Sequence, residues 1–136
     1  FNGKGNYEGA KDYLENISKK GTYGSRKNEF LYALGLMATK AGKKKEGQEF
    51  FRKSLLEKVS DPQVRGLTYY EIGRDYLDRN DYIGAGAYYD SALVSMTYEP
   101  SKILLQDQSN YIKKISKNYY LIKNGLTFFS RTSIKT

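Results

Sequence analysis

The chain has 136 residues, with 23 Lys and Arg against 15 Asp and Glu, a formal net charge of +8, 14 Tyr, and no His, Cys or Trp. This is one domain's length, enough to bury a core without staples. The missing residue types exclude thiol nucleophiles, imidazole bases, zinc sites of the usual kind and haem ligation by His or Cys.

In chain order, Gly3-Lys4-Gly5 comes first and reads as a turn, because no Ser or Thr follows its Lys as a phosphate-binding loop would need. Phe1 stands where a Met would begin a chain, and no basic head, apolar stretch and small-residue cleavage site follow it. The sequence therefore reads as a piece of a longer or processed chain. Its longest apolar run, about Leu31 to Ala38, is far below the roughly 18 residues of a membrane span.

Apolar and small residues then recur at three and four, at Leu31, Leu34, Gly35 and Ala38, which predicts a helix. Gly42 breaks it, and a second helical pattern runs from about Glu46 to Lys58. After Ser60-Asp61-Pro62 the same periodicity returns at Tyr69, Ile72, Gly73 and Tyr76, is broken by Asn80-Asp81, and resumes from Tyr82 to Met96. Pro62 and Pro100, the only prolines, separate these helical units. From Ser101 to about Lys123, Leu104, Tyr111, Ile115, Tyr119 and Ile122 form an apolar stripe among Gln106, Asp107, Gln108, Lys113, Lys114 and Lys117. That pattern predicts a long amphipathic helix whose stripe covers the end of the stack. Past Asn124-Gly125 the periodicity stops, and Ser130-Arg131-Thr132-Ser133 reads as a frayed tail.

The units are copies of each other. Tyr69-x2-Ile72-Gly73-x2-Tyr76, then Ala85-x3-Tyr89-x2-Ala92, matches Leu31-x2-Leu34-Gly35-x2-Ala38, then Gly47-x3-Phe51-x2-Ser54, at a constant offset of 38. Gly5-Asn6-Tyr7-Glu8-Gly9-Ala10, with Leu14 and Ile17, mirrors the second half of that unit from Asn80 to Ala92. The unit is helix, tight turn, helix, and the first copy lacks its leading helix.

Little in the chain carries chemistry. Gly84-Ala85-Gly86 follows no strand and lies inside a helical stretch, so close helix packing accounts for it. Glu46 with Glu49, and Asp78 with Asp81, are carboxylate pairs able in principle to act as acid and base or to hold a divalent ion. Their basic neighbours and exposed helix positions favour solvated charge. No catalytic, cofactor-binding or metal-binding residue is assigned, and the chain is read as a non-enzyme.

Charge is uneven: residues 1–65 carry +6, residues 66–100 carry −4 and residues 101–136 carry +6. Lys43-Lys44-Lys45 and Lys113, Lys114 and Lys117 could meet phosphates or an anionic membrane surface, with tyrosines stacking bases. A polyanion- or nucleic-acid-binding module using these basic regions is the alternative reading. Solvated helix faces account for the lysines without such a ligand.

The order large, large, Gly, Tyr on the first helix and Ala, aromatic, Ala on the second resembles the tetratricopeptide repeat (TPR) family over roughly residues 5–99. The family's period is about 34 residues, so the offset of 38 places about four extra residues after Leu56. The resemblance implies an all-α, right-handed helix-turn-helix solenoid with a long C-terminal capping helix. Its parts are a partial repeat over 1–27, repeats over 28–65 and 66–100, and a cap over 101–124. These make an array over 1–124, and a tail over 125–136 follows. By the same resemblance, a partner-binding groove is lined by the first helix of each pair. Its positions map to Glu29, Tyr32, Leu36 and Thr39, and to Leu67, Tyr70, Arg74 and Leu77. These do not match the Lys and Asn pattern of the subtype that grips chaperone C-termini.

A narrower likeness lies in Tyr69-Tyr70-Glu71-Ile72-Gly73, Asp81 to Leu93 with its run Tyr88-Tyr89-Asp90-Ser91-Ala92, and the helix from Ser109 to Ile122. It is similar to the TPR lipoproteins of the type IX secretion and gliding-motility machinery of Bacteroidetes bacteria. The lipoprotein signal and lipidated Cys of that branch do not appear in this sequence. What the likeness implies is a cell-envelope scaffold on the periplasmic side, possessing no cofactor or catalysis of its own. Its partners would be protein components of a secretion or motility complex, and its parent chain would be lipid-anchored. A cytoplasmic location is the alternative.

Overall fold

The structure is a computed structural model that describes residues 3–19, 26–58 and 60–132, with side chains over 7–17, 26–58 and 60–118. It is all-α. Six helices follow one another, α1 (Gly3–Lys19), α2 (Lys27–Lys40), α3 (Lys44–Leu55), α4 (Pro62–Asp78), α5 (Tyr82–Ser95) and α6 (Glu99–Thr132), with no strand among the described residues.

Helices α2 and α3 form an antiparallel hairpin whose register is set by small residues. A methyl group built on Gly35 would collide with the ring of Phe51, and one on Gly47 would lie 2.5 Å from Thr39 Oγ1 and 2.8 Å from the Gly35 carbonyl oxygen. Further along, the Ser54 hydroxyl donates to the Asn28 carbonyl at 2.7 Å. Helices α4 and α5 repeat the arrangement. A methyl group on Gly73 would lie 2.5 Å from Tyr89 Cδ1, one on Gly66 would meet Met96 and the Ala92 carbonyl, and one on Gly84 would meet the Tyr76 ring. Gly35 and Gly73, like Phe51 and Tyr89, are 38 positions apart, so the offset in the sequence is an offset in contacts.

The turns repeat as well. Gly42 and Asn80, again 38 apart, are the residues with positive φ among the described residues, at 83° and 61°. Around Gly42, Lys43 N–H donates to Ala38 O at 2.8 Å and Gly42 N–H to Thr39 O at 3.1 Å; around Asn80, Asp81 N–H donates to Tyr76 O and Asn80 N–H to Leu77 O, both at 2.9 Å. Both are Schellman ends, in which a left-handed residue lets the chain turn back and satisfy the last carbonyls. Asp81 then caps α5 by accepting from Gly84 N–H at 2.9 Å, as Asp61 caps α4 by accepting from Val64 N–H at 3.1 Å. Pro62 occupies the first turn of α4, where its missing N–H costs nothing.

Among the described residues, buried apolar side chains form two clusters, with Phe51 and Ile72 buried outside both. Tyr7, Leu34, Ala38 and Phe50 join α1 to the first hairpin, and Ala85, Tyr89, Ala92, Met96, Leu105 and Ile112 join the second hairpin to α6. Helix α1 is also clamped by charge, through Lys11–Glu46 at 2.7 Å and Lys43–Glu8 at 2.8 Å. Polar contacts join the hairpins. Lys44 bridges Asp78 at 2.8 Å and Asp75 at 3.3 Å, Gln48 donates to the Glu71 carbonyl at 3.4 Å, and Arg65 donates to the Leu55 carbonyl at 3.0 Å. Arg52 reaches the Tyr88 hydroxyl at 3.2 Å.

Three expectations change. Gly3-Lys4-Gly5 is the first turn of α1, not a loop. Helix α6 runs through Asn124 and Gly125 to Thr132, so no helix end falls at 124; residues 133–136 of the expected tail lie outside the described residues. The buried face of α6 is Leu105, Ser109 and Ile112, one position round from the expected stripe, and Leu104 and Tyr111 are 65 % and 66 % exposed. The physical reason is Ser109: buried, it is paired with Asp90 of α5 at 3.2 Å, so a polar residue occupies the inward face. Tyr119 and Ile122 of that stripe lie outside the described side chains.

Candidate functional site

Because α6 turns Leu104 and Tyr111 outward, they face α4 across a groove. At one end Leu67 and Tyr70 of α4 meet Leu104, Leu105 and Gln108 of α6 over Met96, enclosing about 170 Å³. At the other, Leu77 meets Gln108, Tyr111 and Ile112 over Tyr89, enclosing about 300 Å³. Gln108 borders both recesses. The groove is apolar and aromatic, with Asp107 at one margin.

Helix α4 positions its wall through Gln63, whose side-chain oxygen accepts the backbone N–H groups of Thr97 and Tyr98 at 2.8 and 2.9 Å. Its amide nitrogen donates to Ser101 at 3.2 Å. One side chain thus ties the start of α4 to the connection that launches α6.

Arg74 is the cation beside this wall. Its guanidinium lies 5.7 Å from the Tyr70 ring centre and 3.5 Å from Glu71, and Tyr70 itself packs against Tyr89 with ring centres 5.2 Å apart. Burial holds the Glu71 carboxyl above its ordinary range, and Arg74 only partly opposes this. Tyr32 of α2 approaches the same place: burial, then the nearby Glu71 and Tyr70, push its phenol up to about 12. Burial likewise raises the Tyr89 phenol.

Of the eight groove positions expected from the sequence, Leu67, Tyr70 and Leu77 line the α4–α6 groove, and Arg74 and Tyr32 gather around Tyr70 and Glu71. Leu36 is half-buried on α2. Glu29 sits apart, paired with Arg26 at 2.6 Å. Thr39 turns toward α3, donating to the Gly35 carbonyl at 2.8 Å and abutting Gly47. Leu104, Gln108 and Tyr111 belong to the site although sequence reasoning gave Leu104 and Tyr111 to the covered stripe. Their signal was the heptad spacing of Leu104 and Tyr111 around Gln108, which also fits a buried face.

The carboxylate pairs do not act together. Glu46 is engaged by Lys11, whose hydrogen bond holds its carboxyl below the ordinary value. Asp78 takes Lys44, while Asp81 is a helix cap. Among the described residues no three acidic side chains gather as a metal site would need, and no helix is long and apolar enough to cross a membrane. Comparison with models of known families, with curated proteins and with solved structures finds no match for this chain.

Proposed function

We propose that the chain is a non-catalytic TPR scaffold that binds protein segments in the α4–α6 groove. The TPR reading is supported by equivalence at the level of contacts: Gly35 under Phe51 repeats as Gly73 under Tyr89, and the left-handed turn at Gly42 repeats at Asn80. The observation that carries the binding role is the exposure of Leu104 and Tyr111 opposite Leu67, Tyr70 and Leu77. Large apolar side chains facing each other across an open groove are the usual composition of a recognition site.

The ligand chemistry that fits is a protein segment with two apolar or aromatic anchors, one for each recess, and a polar group between them for Gln108. Polyanion binding is less well supported, because Lys43, Lys44 and Lys113 of the basic clusters are held by Glu8, by Asp75 and Asp78, and by Asp90. On the Tyr88-Tyr89-Asp90-Ser91-Ala92 run and the long helix after it, the proposal extends to a cell-envelope assembly of the type IX secretion and gliding-motility kind. There the parent chain would be lipid-anchored and face the periplasm.

Photo-crosslinking from position 111 in the parent chain, in cells, tests this. Crosslinks to secretion or motility components that disappear in a Leu104→Ser, Leu67→Ser variant are expected. Crosslinks indifferent to that variant would remove the groove from the proposal, and recovery of only cytosolic or nucleic-acid-bound proteins would remove the envelope assembly.

A further inference from the structure

Three positions change character between the two hairpins. Ala38 and Phe50 are buried in the apolar cluster that includes Tyr7 of α1, and Ala41 packs against it. Their equivalents 38 positions on are Tyr76, Tyr88 and Arg79. The first hairpin closes with all three positions apolar, so packing of the repeat does not call for hydroxyl and guanidinium groups there. Helix α3 adds a fourth polar residue, Arg52, which donates to the Tyr88 hydroxyl at 3.2 Å.

The four side chains form one constellation. The Tyr76 and Tyr88 rings stack with centres 5.2 Å apart and planes 20° from parallel, and the Arg79 guanidinium lies 4.5 Å from the Tyr76 ring centre. Arg52 above all, with the Tyr88 hydroxyl and Arg79, holds the Tyr76 phenol below its ordinary value against the effect of burial. Two guanidiniums and two hydroxyls from α3, α4 and α5 thus gather at one aromatic stack. Arg52 and Arg79 are exposed and the two tyrosines half-buried, so the constellation can be reached from solvent.

What the constellation lacks is an acceptor. A guanidinium only donates, and a phenol oxygen that accepts from an arginine keeps its own O–H to give. Arg79 is held by Asp75 at 3.0 Å, but Asp75 also serves Lys44 at 3.3 Å. Among the described residues Arg52 has no carboxylate partner, and its hydrogen bond goes to a neutral phenol.

We propose that Arg52, Tyr76, Tyr88 and Arg79 form a binding site for a phosphate group, free or as a monoester. The donors select this ligand by charge and by direction. They come from three helices, and a tetrahedral phosphate has three terminal oxygens to meet them, whereas the two oxygens of a carboxylate lie in one plane. A single phosphate fits better than a polyanion. Lys43 and Lys44, which could extend the site along a charged backbone, are held by Glu8 and by Asp75 and Asp78. None of the four residues lines either recess of the α4–α6 groove, so the site stands apart from that groove. A phosphate held by Arg52 on one side and by Tyr76 and Tyr88 on the other joins α3 to the second hairpin, and its binding stabilises the fold.

Isothermal titration of the full chain with inorganic phosphate and with phenyl phosphate, set against acetate at matched ionic strength, tests this. Saturable binding of a phosphate at one site is expected, with acetate about tenfold weaker or more. Tighter binding of phenyl phosphate than of inorganic phosphate marks a site for a monoester, and affinity no greater than for inorganic phosphate marks one for the free ion. Arg52→Gln should weaken binding by about tenfold or more, as should the joint change Tyr76→Phe, Tyr88→Phe, which removes both hydroxyls and keeps both rings. Lys53→Gln removes the same charge from the neighbouring position and should leave affinity within about twofold. Phosphate should also raise the Tm of the unaltered chain and not that of Arg52→Gln. No preference for phosphate over acetate overturns the proposal, as does phosphate binding that Arg52→Gln leaves unchanged or that Lys53→Gln weakens equally. Capture by vesicles containing phosphatidic acid of a chain indifferent to both soluble phosphates overturns it too, and assigns the face to lipid.

Discussion

Tyr89 lies across Gly73 so closely that a methyl group on the glycine would sit 2.5 Å from the ring carbon Cδ1. The aromatic ring fills the space a side chain would take and holds α4 and α5 at a fixed separation. Gly35 and Phe51 do the same in the preceding hairpin. Such contacts make the repeat sensitive to single methyl groups.

Gly73→Ala and Gly35→Ala should each destabilise the fold by about 1–3 kcal/mol, the usual cost of overpacking a close contact. Urea unfolding followed by circular dichroism measures it. Pairing Gly73→Ala with Tyr89→Leu should lose less than the sum of the two single changes, because the ring that clashes has been removed. Full additivity would mean that Gly73 and Tyr89 do not touch.

The two turns make a second prediction. Asn80→Ala should cost about 1 kcal/mol, since a residue with a Cβ and no local hydrogen-bonding side chain is disfavoured at φ 61°. Asn80→Gly should be neutral or slightly stabilising. Thermal unfolding of the two variants side by side separates the backbone effect from any loss of side-chain contact.

Asp81 follows that turn and caps α5. Asp81→Ala should lose about 1 kcal/mol and Asp81→Asn considerably less, as capping needs an acceptor oxygen and not a charge. Equal losses would show that the charge is what matters.

Glu71 gives the stability a pH signature. Its carboxyl is held above the ordinary 4.5 by burial, so the folded chain binds this proton more tightly than the unfolded chain does. The stabilising contribution of the proton is present below the unfolded value and is lost as pH rises through the folded one. Glu71→Gln should therefore raise the Tm at pH 7, with the advantage shrinking as pH falls toward 4. Glu46 runs the other way, because Lys11 holds its carboxyl low. Its contribution is present above the unfolded value and is lost as pH drops through the folded one. Glu46→Gln should lower the Tm at pH 7 and converge with the unaltered chain in acid.

Much of this arrangement was legible in the sequence, because helix packing here is periodic and local. Leu34, Gly35 and Ala38, Phe51 and Ser54, and Ala85, Tyr89 and Ala92 are buried where the spacing put them, and Gly42 and Asn80 turn the chain where breakers were expected. What the pattern could not show was long-range and polar. Lys43, Lys44 and Glu46 read as solvated charge, yet their partners Glu8, Asp78 and Lys11 lie about 35 residues away. In α6 the inward face includes Ser109, which an apolar stripe does not reveal, so the expected stripe lies one position off and half of the groove stays hidden. Gln63 carried no local signal at all, since its partners are Thr97 and Tyr98 on the connection between α5 and α6 and Ser101 in the first turn of α6.

Lys44, Gln48, Arg52 and Arg65 tie the second hairpin to the first through ion pairs and single hydrogen bonds, and this has a mechanical meaning. Apolar burial gives way slowly under load, whereas ion pairs and single hydrogen bonds that water can replace are worth little once strained. Tension on the ends of the molecule should therefore strain these ties between α3, α4 and α5 early, and raising the ionic strength should weaken the Lys44 ion pairs among them.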